Sequence, residues 1–490
     1  MGQQLKVLLC ASEVVPFAKT GGLADVAGSL PKALAALGHD VRVALPKYAD
    51  VYEKHLLLKD IAADISVPYA GSEHRVAIQQ SDAIEGATTY FVVSDLFLRT
   101  GLYGHPDDAQ RFTVFQRAVL GMFDRVGWTP DVIHCNDWQT ALIPVYLNAA
   151  DGSPAGPATL YTIHNLAYQG LFPRQTLAEV GLPDSLFTMD GIEFYGQVSM
   201  MKAGIVFADM VSAVSPTYAK EIQTPEFGER LQGVLAGRSK QLVGIVNGID
   251  YDVWDPASDA LLAAKYDAEH PQGKAANRKA LQEHVGLPKR EVPVFGLISR
   301  LTAQKGLDIL EGALPAVLGR DLQIVILGTG DKYYHDLLTD LVAKYPKKMA
   351  VTLGFDDRLA HMIYSGSDLF LMPSRYEPCG LGQMIAMRYG SIPVVRKTGG
   401  LADTVIEFDP KSGRGNGFLF EGFDPKALIA AIGRGLDTYG SDSWAKLVAN
   451  AMAADFSWNQ SAKQYAEVYA KAMAFHAQRH RGAKAGAPAC

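Results

Sequence analysis

A carboxylate, a thiol and a glycine stand close together in Pro373-Ser374-Arg375-Tyr376-Glu377-Pro378-Cys379-Gly380-Leu381. Pro378 disfavours helical backbone at the residue before it, so Glu377 is expected in a turn, not on a helix face. The other groups able to do chemistry also follow short apolar runs. Asp137 follows residues 131–135, His164 and Asn165 follow 159–163, and Asn247 follows 241–246. Arg300 and Lys305 follow 293–299, and Gly328 and Gly330 follow 322–327. A lone His or Asp at a strand end is most often a turn hydrogen-bonder, but three such clusters in one half call for a common purpose. Two cations and helix-start N–H groups suit a diphosphate, whose departure needs its charge neutralised. Gly328 and Gly330 would admit a flat base or a ribose. Asp137, His164 and Asn165 are partners for sugar hydroxyls. Phosphate-binding groups late in the chain and hydroxyl-binding groups early describe a transferase acting on a nucleotide sugar, with Glu377 between them.

These groups need a frame that brings strand ends together. Lys6 to Ala11 reads as a buried strand, a helix runs from the Gly21-Gly22 turn to about Leu37, and 41–45 is the next strand, which makes a βαβ unit. Residues 61–67, 74–79 and 88–94 read as strands of an antiparallel insertion. From about 293 the strand–helix alternation restarts. Lys19-Thr20-Gly21-Gly22-Leu23-Ala24-Asp25 recurs as Lys397-Thr398-Gly399-Gly400-Leu401-Ala402-Asp403, so the two halves carry similar turns. Paired glycines at a helix start let backbone N–H groups approach an anion or a sugar hydroxyl. Taken alone, Lys19 reads as a solvated lysine on a glycine-capped turn. The expected architecture is α/β: two Rossmann-like, doubly wound domains facing across a deep cleft. The first spans 1–246 (acceptor and sugar side), with a last helix at about 457–476 returning to it. The second spans 247–456 (nucleotide-diphosphate side), and 477–490 reads as a basic, Ala/Gly-rich disordered tail.

Composition removes several classes. The chain has 490 residues, more than one ordinary core, with 48% hydrophobic and 20% charged residues, a globular balance. A net charge of −6 without a long basic block outside the tail does not indicate a nucleic-acid or anionic-membrane partner. No leader-like segment or membrane-length apolar run is present, and the four cysteines are scattered without a Cys-x-x-Cys pair. The expectation is a cytoplasmic protein without zinc or a disulfide framework.

The two Lys-Thr-Gly-Gly turns together with Glu377-Pro378-Cys379-Gly380-Leu381 resemble bacterial glycogen synthases and plant starch synthases, over about Val7 to Tyr469. The resemblance implies the GT-B fold and transfer of glucose from ADP-glucose to the non-reducing end of an α-1,4-glucan. It implies retention of configuration, no cofactor and no metal ion. By position, Lys19 matches a lysine that contacts the sugar nucleotide, with Gly21 and Gly22 in the same loop. Asp137 and His164 match sugar-side polar groups, Arg300 and Lys305 the pair on the diphosphate, and Glu377 the essential carboxylate. Thr398, Gly399 and Gly400 match the second loop. Asn165, Asn247, Gly328, Cys379, Gly380 and Leu381 complete the expected substrate contacts. Related retaining transferases carry a second glutamate where this chain has Ile385, a difference it shares with glycogen synthases.

Four other readings are weighed. Asp250-Tyr251-Asp252 has the form that holds a divalent ion in metal-dependent transferases, but two Rossmann-like halves are the wrong fold for those enzymes, and a plain capped turn after Asn247-Gly248 is the reading adopted. A glycoside hydrolase would need two opposed carboxylates, and only Glu377 is well placed. A non-catalytic glucan-binding protein, or a UDP-glucose user, is separated by ligand tests alone. Cys379 is read as a packed thiol beside Glu377, not as a nucleophile.

Overall fold

The computed structural model describes residues 4–49, 51, 56–149 and 156–485. The chain forms two compact units, Met1–Gly248 with Trp458–Cys490, and Ile249–Ser457.

The first unit is built on a nine-stranded sheet: β1 (Lys6–Cys10), β2 (Asp40–Pro46), β3 (Lys59–Tyr69), β4 (Ser72–Ile84), β5 (Ala87–Val93), β6 (Val132–Asn136), β7 (Ala158–Ile163), β8 (Met210–Ala213) and β9 (Leu242–Gly244). Their order is β9-β8-β7-β6-β1-β2-β5-β4-β3. β1, β6 and β7 are buried almost throughout, as parallel strands covered on both faces must be, and this is why they read as unbroken apolar runs. Only β3 and β4 belong to the expected antiparallel excursion. β5 runs antiparallel to β4 but parallel to β2, with Val41 opposite Ala87, and so continues the main sheet.

The second unit carries β10 (Val294–Ile298), β11 (Gln323–Gly328), β12 (Met349–Leu353), β13 (Leu369–Met372), β14 (Ile392–Arg396) and β15 (Phe418–Phe420). All are parallel, in the order β12-β11-β10-β13-β14-β15. Phe295, Leu297, Ile324, Ile326, Leu369, Leu371 and Val394 pack in its core with the Leu307–Leu318 helix.

Each sheet reverses its strand order once, between β1 and β6 in the first unit and between β10 and β13 in the second. Beyond the carboxyl ends of such strand pairs the flanking loops diverge and leave a crevice, where ligands of doubly wound sheets bind. The loops leaving β1, β6, β10 and β13 carry Lys19, Asp137, Arg300 with Lys305, and Glu377.

The last helix begins at Trp458 and continues to Ala485, so the expected end at His476 and disordered tail from 477 are corrected as far as 485; 486–490 lie outside the described residues. Burial along one side holds this helix. Tyr465, Tyr469 and Ala472 are buried, and the Tyr469 hydroxyl is 2.9 Å from His134 Nδ1 on β6. Among the described residues no helix is long and apolar enough to cross a membrane.

Candidate active site

In the second unit, the loop after β10 and the loop after β13 are locked by one buried ion pair. Lys305 Nζ donates to Glu377 Oε1 and Oε2 at 2.9 and 2.6 Å, and the Ser374 hydroxyl donates to Oε2 at 3.0 Å. Glu377 is 5% exposed, so its charge is tolerable only because these donors surround it. Two glycines allow the fit. Gly306 has φ +74°, and a Cβ there would stand 1.9 Å from the Pro373 carbonyl oxygen; Gly399 has φ +44°, and its Cβ would stand 1.9 Å from the Glu377 carbonyl oxygen. Gly400 N–H donates to the carbonyls of Glu377 and Pro378 at 3.1 and 3.2 Å. The second Lys-Thr-Gly-Gly turn is thus a socket for the Glu377 turn.

Gly328 has a similar packing explanation. A Cβ there would stand 1.9 Å from the Ser299 carbonyl oxygen, so close packing of the β10 loop already accounts for the glycine. Arg300 is exposed and donates to Gln304 Oε1 at 3.2 Å. Cys379 is buried, and Gly380 is held by Gln383, whose amide nitrogen donates to the carbonyls of Cys379 and Gly380. Leu381 caps the Gly382–Arg388 helix, and Thr398 caps Gly399–Thr404. Asp250 Oδ1 accepts the N–H of Asp252 at 2.9 Å, a local turn. Among the described residues no group of three or more His, Cys, Asp or Glu side chains is placed to hold a metal ion.

In the first unit, Asp137 and His164 come together. Asp137 has φ +54°, and its Oδ1 accepts the His164 backbone N–H at 2.8 Å. Burial pushes its carboxyl up to about 7, against the pull of the His164 and Asn165 N–H groups and with the charge of Glu13 adding to the rise. Burial pushes the His164 ring down to about 3, so it is neutral. Asn136 Nδ2 donates to the carbonyls of Cys10 and His134, which leaves Asn136 Oδ1 as an acceptor. The partner at 2.8 Å, His164 Nε2, therefore carries the proton, and Nδ1 keeps the lone pair. Asn165 Oδ1 accepts the N–H of Ala167. Asn247 is buried at the Gly248–Trp458 boundary of the unit, and its Oδ1 has no hydrogen-bond partner among the described residues.

The raised Asp137 carboxyl predicts a pH effect with a definite sign. The folded chain binds this proton more tightly than the unfolded chain between the ordinary carboxyl value of 3.8 and about 7, so Asp137 subtracts stability as pH rises through that window. Asp137→Asn keeps an oxygen for the two N–H groups and removes the charge. In urea unfolding, its stability relative to wild type should increase between about pH 5 and about pH 8. A difference that stays constant or shrinks would contradict the assignment.

Lys19 pairs with Asp25 at 2.7 Å and is half exposed. Gly21 caps the Gly22–Ala36 helix, but its N–H and the Thr20 N–H both go to the carboxylate of Glu13. Sequence reading passed over Glu13 and Ser374. A carboxylate two residues beyond a buried strand was the available signal for Glu13; Ser374 had none beyond its neighbour.

Two doubly wound α/β units, with the site residues on the loops at their switch points, define a glycosyltransferase of the GT-B class. A family model described as the starch synthase catalytic domain matches residues 6–237, and one for glycosyl transferases group 1 matches 279–478. The chain is 52% identical to a glycogen synthase of Moorella thermoacetica, over 96% of this chain and 98% of the relative. It is 47% identical to one of Thermotoga maritima, over 96% and 99%. The catalytic domain of starch synthase IV from Arabidopsis thaliana, solved with ADP and acarbose, superposes with a TM-score of 0.91 at 37% identity, over 96% of this chain and all of that one. A sucrose-phosphate synthase of Thermosynechococcus elongatus shares the fold, with a TM-score of 0.60 at 19% identity. The chain belongs to the family of bacterial glycogen synthases and starch synthases.

Proposed function

We propose that the protein transfers glucose from ADP-glucose to the non-reducing end of an α-1,4-glucan, with retention of configuration, elongating glycogen and releasing ADP. The observation that carries this reading is the buried Glu377–Lys305 pair beyond the carboxyl ends of β10 and β13, in a chain of this family. Arg300 and Lys305 take the diphosphate, with Thr398, Gly399, Gly400, Gly328, Gly380 and Leu381 forming the nucleotide side. Glu377 holds the donor glucose and favours its developing positive charge. Asp137, His164, Asn165 and Asn247 take sugar hydroxyls, and Lys19 with Gly21 and Gly22 contacts the sugar nucleotide. The bond from C1 to the diphosphate oxygen breaks on the same face on which the acceptor hydroxyl bonds to C1. That hydroxyl's proton passes to the departing phosphate oxygen. No metal ion or cofactor enters this scheme. We place the protein in the cytoplasm, in keeping with the free thiols of Cys10, Cys135 and Cys379.

The test is nucleoside diphosphate release from ADP-glucose and from UDP-glucose, with and without glycogen, in EDTA. The expected result is ADP release that needs glycogen and persists in the chelator. Release without acceptor would replace the proposal with hydrolysis. Inertness toward both donors would replace it with a glucan-binding role.

A further inference from the structure

The loop after β1 is anchored by a carboxylate that the scheme above does not use. Val14 N–H donates to the Ala18 carbonyl at 3.0 Å, and Val15 N–H donates to the Ala24 carbonyl at 3.0 Å, which folds the loop back onto the Gly22–Ala36 helix. Inside that fold, Glu13 is 4% exposed. Its Oε2 accepts the N–H of Thr20, the hydroxyl of Thr20 at 2.9 Å and the N–H of Gly21 at 3.2 Å. Three donors on one carboxylate oxygen offset the cost of burying the charge, and charge-assisted bonds of this kind fix geometry more tightly than neutral ones. Burial raises the Glu13 carboxyl above the usual range, and the Thr20 and Gly21 donors pull it back.

We propose that Glu13 is a positioning residue: it clamps the Lys19-Thr20-Gly21-Gly22 turn and so sets where Lys19 presents its ammonium to the sugar nucleotide. The inference rests on the glucosyl-transfer reading. Two consequences follow from the geometry. The N–H groups of Thr20 and Gly21 are already engaged by an internal carboxylate, so the charged contact this turn offers the donor is Lys19. The identical heptapeptide at 397–403 is held differently, by main-chain carbonyls of Glu377 and Pro378 on Gly400 N–H. Gly21 has φ −153° where Gly399 has φ +44°, so equal sequences take unequal shapes.

Two measurements test this. The first is hydrogen exchange of the Thr20 and Gly21 amides in wild type, Glu13→Ala and Glu13→Gln. Exchange should speed up by about tenfold or more in Glu13→Ala and by less in Glu13→Gln, whose amide oxygen still accepts both N–H groups. Unchanged exchange in Glu13→Ala would overturn the clamp. The second is a double-mutant cycle with Lys19→Ala, read as KM for ADP-glucose and kcat. Glu13→Ala alone should raise KM about tenfold with a smaller change in kcat, Glu13→Gln should restore most of it, and Glu13→Ala should add little in the Lys19→Ala background. Equal losses in both backgrounds, or a Lys19→Ala protein with wild-type KM, would overturn the proposed route through Lys19. A wild type inert toward ADP-glucose would overturn the glucosyl-transfer reading and the Lys19 role with it, while the exchange result would still decide the clamp.

Discussion

Glu377→Gln is expected to lower glycogen-dependent ADP release by about a thousandfold in kcat, the scale on which a preorganised charge acts on a transition state. The substitution keeps shape and one oxygen. It also places an NH2 where Lys305 Nζ and the Ser374 hydroxyl both donate, so donors face donors. The Lys305 side chain, 17% exposed, is left without its counter-charge. Removing one partner of a buried pair costs about 3 kcal/mol or more. That is less than the stability of a typical domain, so the variant should remain folded at room temperature with a lowered Tm. Kinetics and thermal unfolding on one preparation separate the two effects. A folded Glu377→Gln enzyme within tenfold of wild-type kcat would remove Glu377 from the mechanism.

The largest effect on stability is expected at Asp108→Asn. Arg111 has no exposed surface, and its Nη1 meets Asp108 Oδ1 at 2.6 Å. Its Nε and Nη1 also donate to the carbonyls of Leu96 and Leu102. The other Asp108 oxygen accepts the N–H groups of Gly104 and His105 at 2.8 and 3.2 Å. Neutralising Asp108 leaves a buried guanidinium with carbonyls alone, at a cost of about 3–5 kcal/mol. The transition of the first unit should fall by roughly 10 °C in calorimetry. The same loop places the Tyr103 hydroxyl 2.7 Å from Ser12 Oγ, next to Glu13, so a loosened 96–105 segment should also weaken donor binding. A Tm within about 2 °C of wild type would show that the guanidinium finds other compensation.

Much of the frame was legible because its signals are local. The strand at Val294–Ile298 stands on the apolar run at 293–299, and the helix Gly22–Ala36 ends within a residue of the Leu37 expected for it. Parallel strands covered on both faces announce themselves as continuous apolar stretches. The last helix was harder. From Phe475 to Arg479 its residues are exposed or half-buried, and 477–485 contain no large apolar residue, so no apolar stripe marked those nine positions.

The site divides along the same line. From the sequence came the residue types at strand ends, the repeated turn and a resemblance specific enough to name a family. None of these could say that Lys305 meets Glu377 across 72 positions, that Gly328 and Gly399 exist to admit carbonyls, or that Glu13 engages the N–H groups of Thr20 and Gly21. Strand order decides which loops become neighbours, and that order is a property of the whole sheet. Burial then decides the charges: Asp137 holds its proton up to about 7, and His164 stays neutral down to about 3, because the surrounding chain excludes water from groups whose composition alone would have given ordinary values.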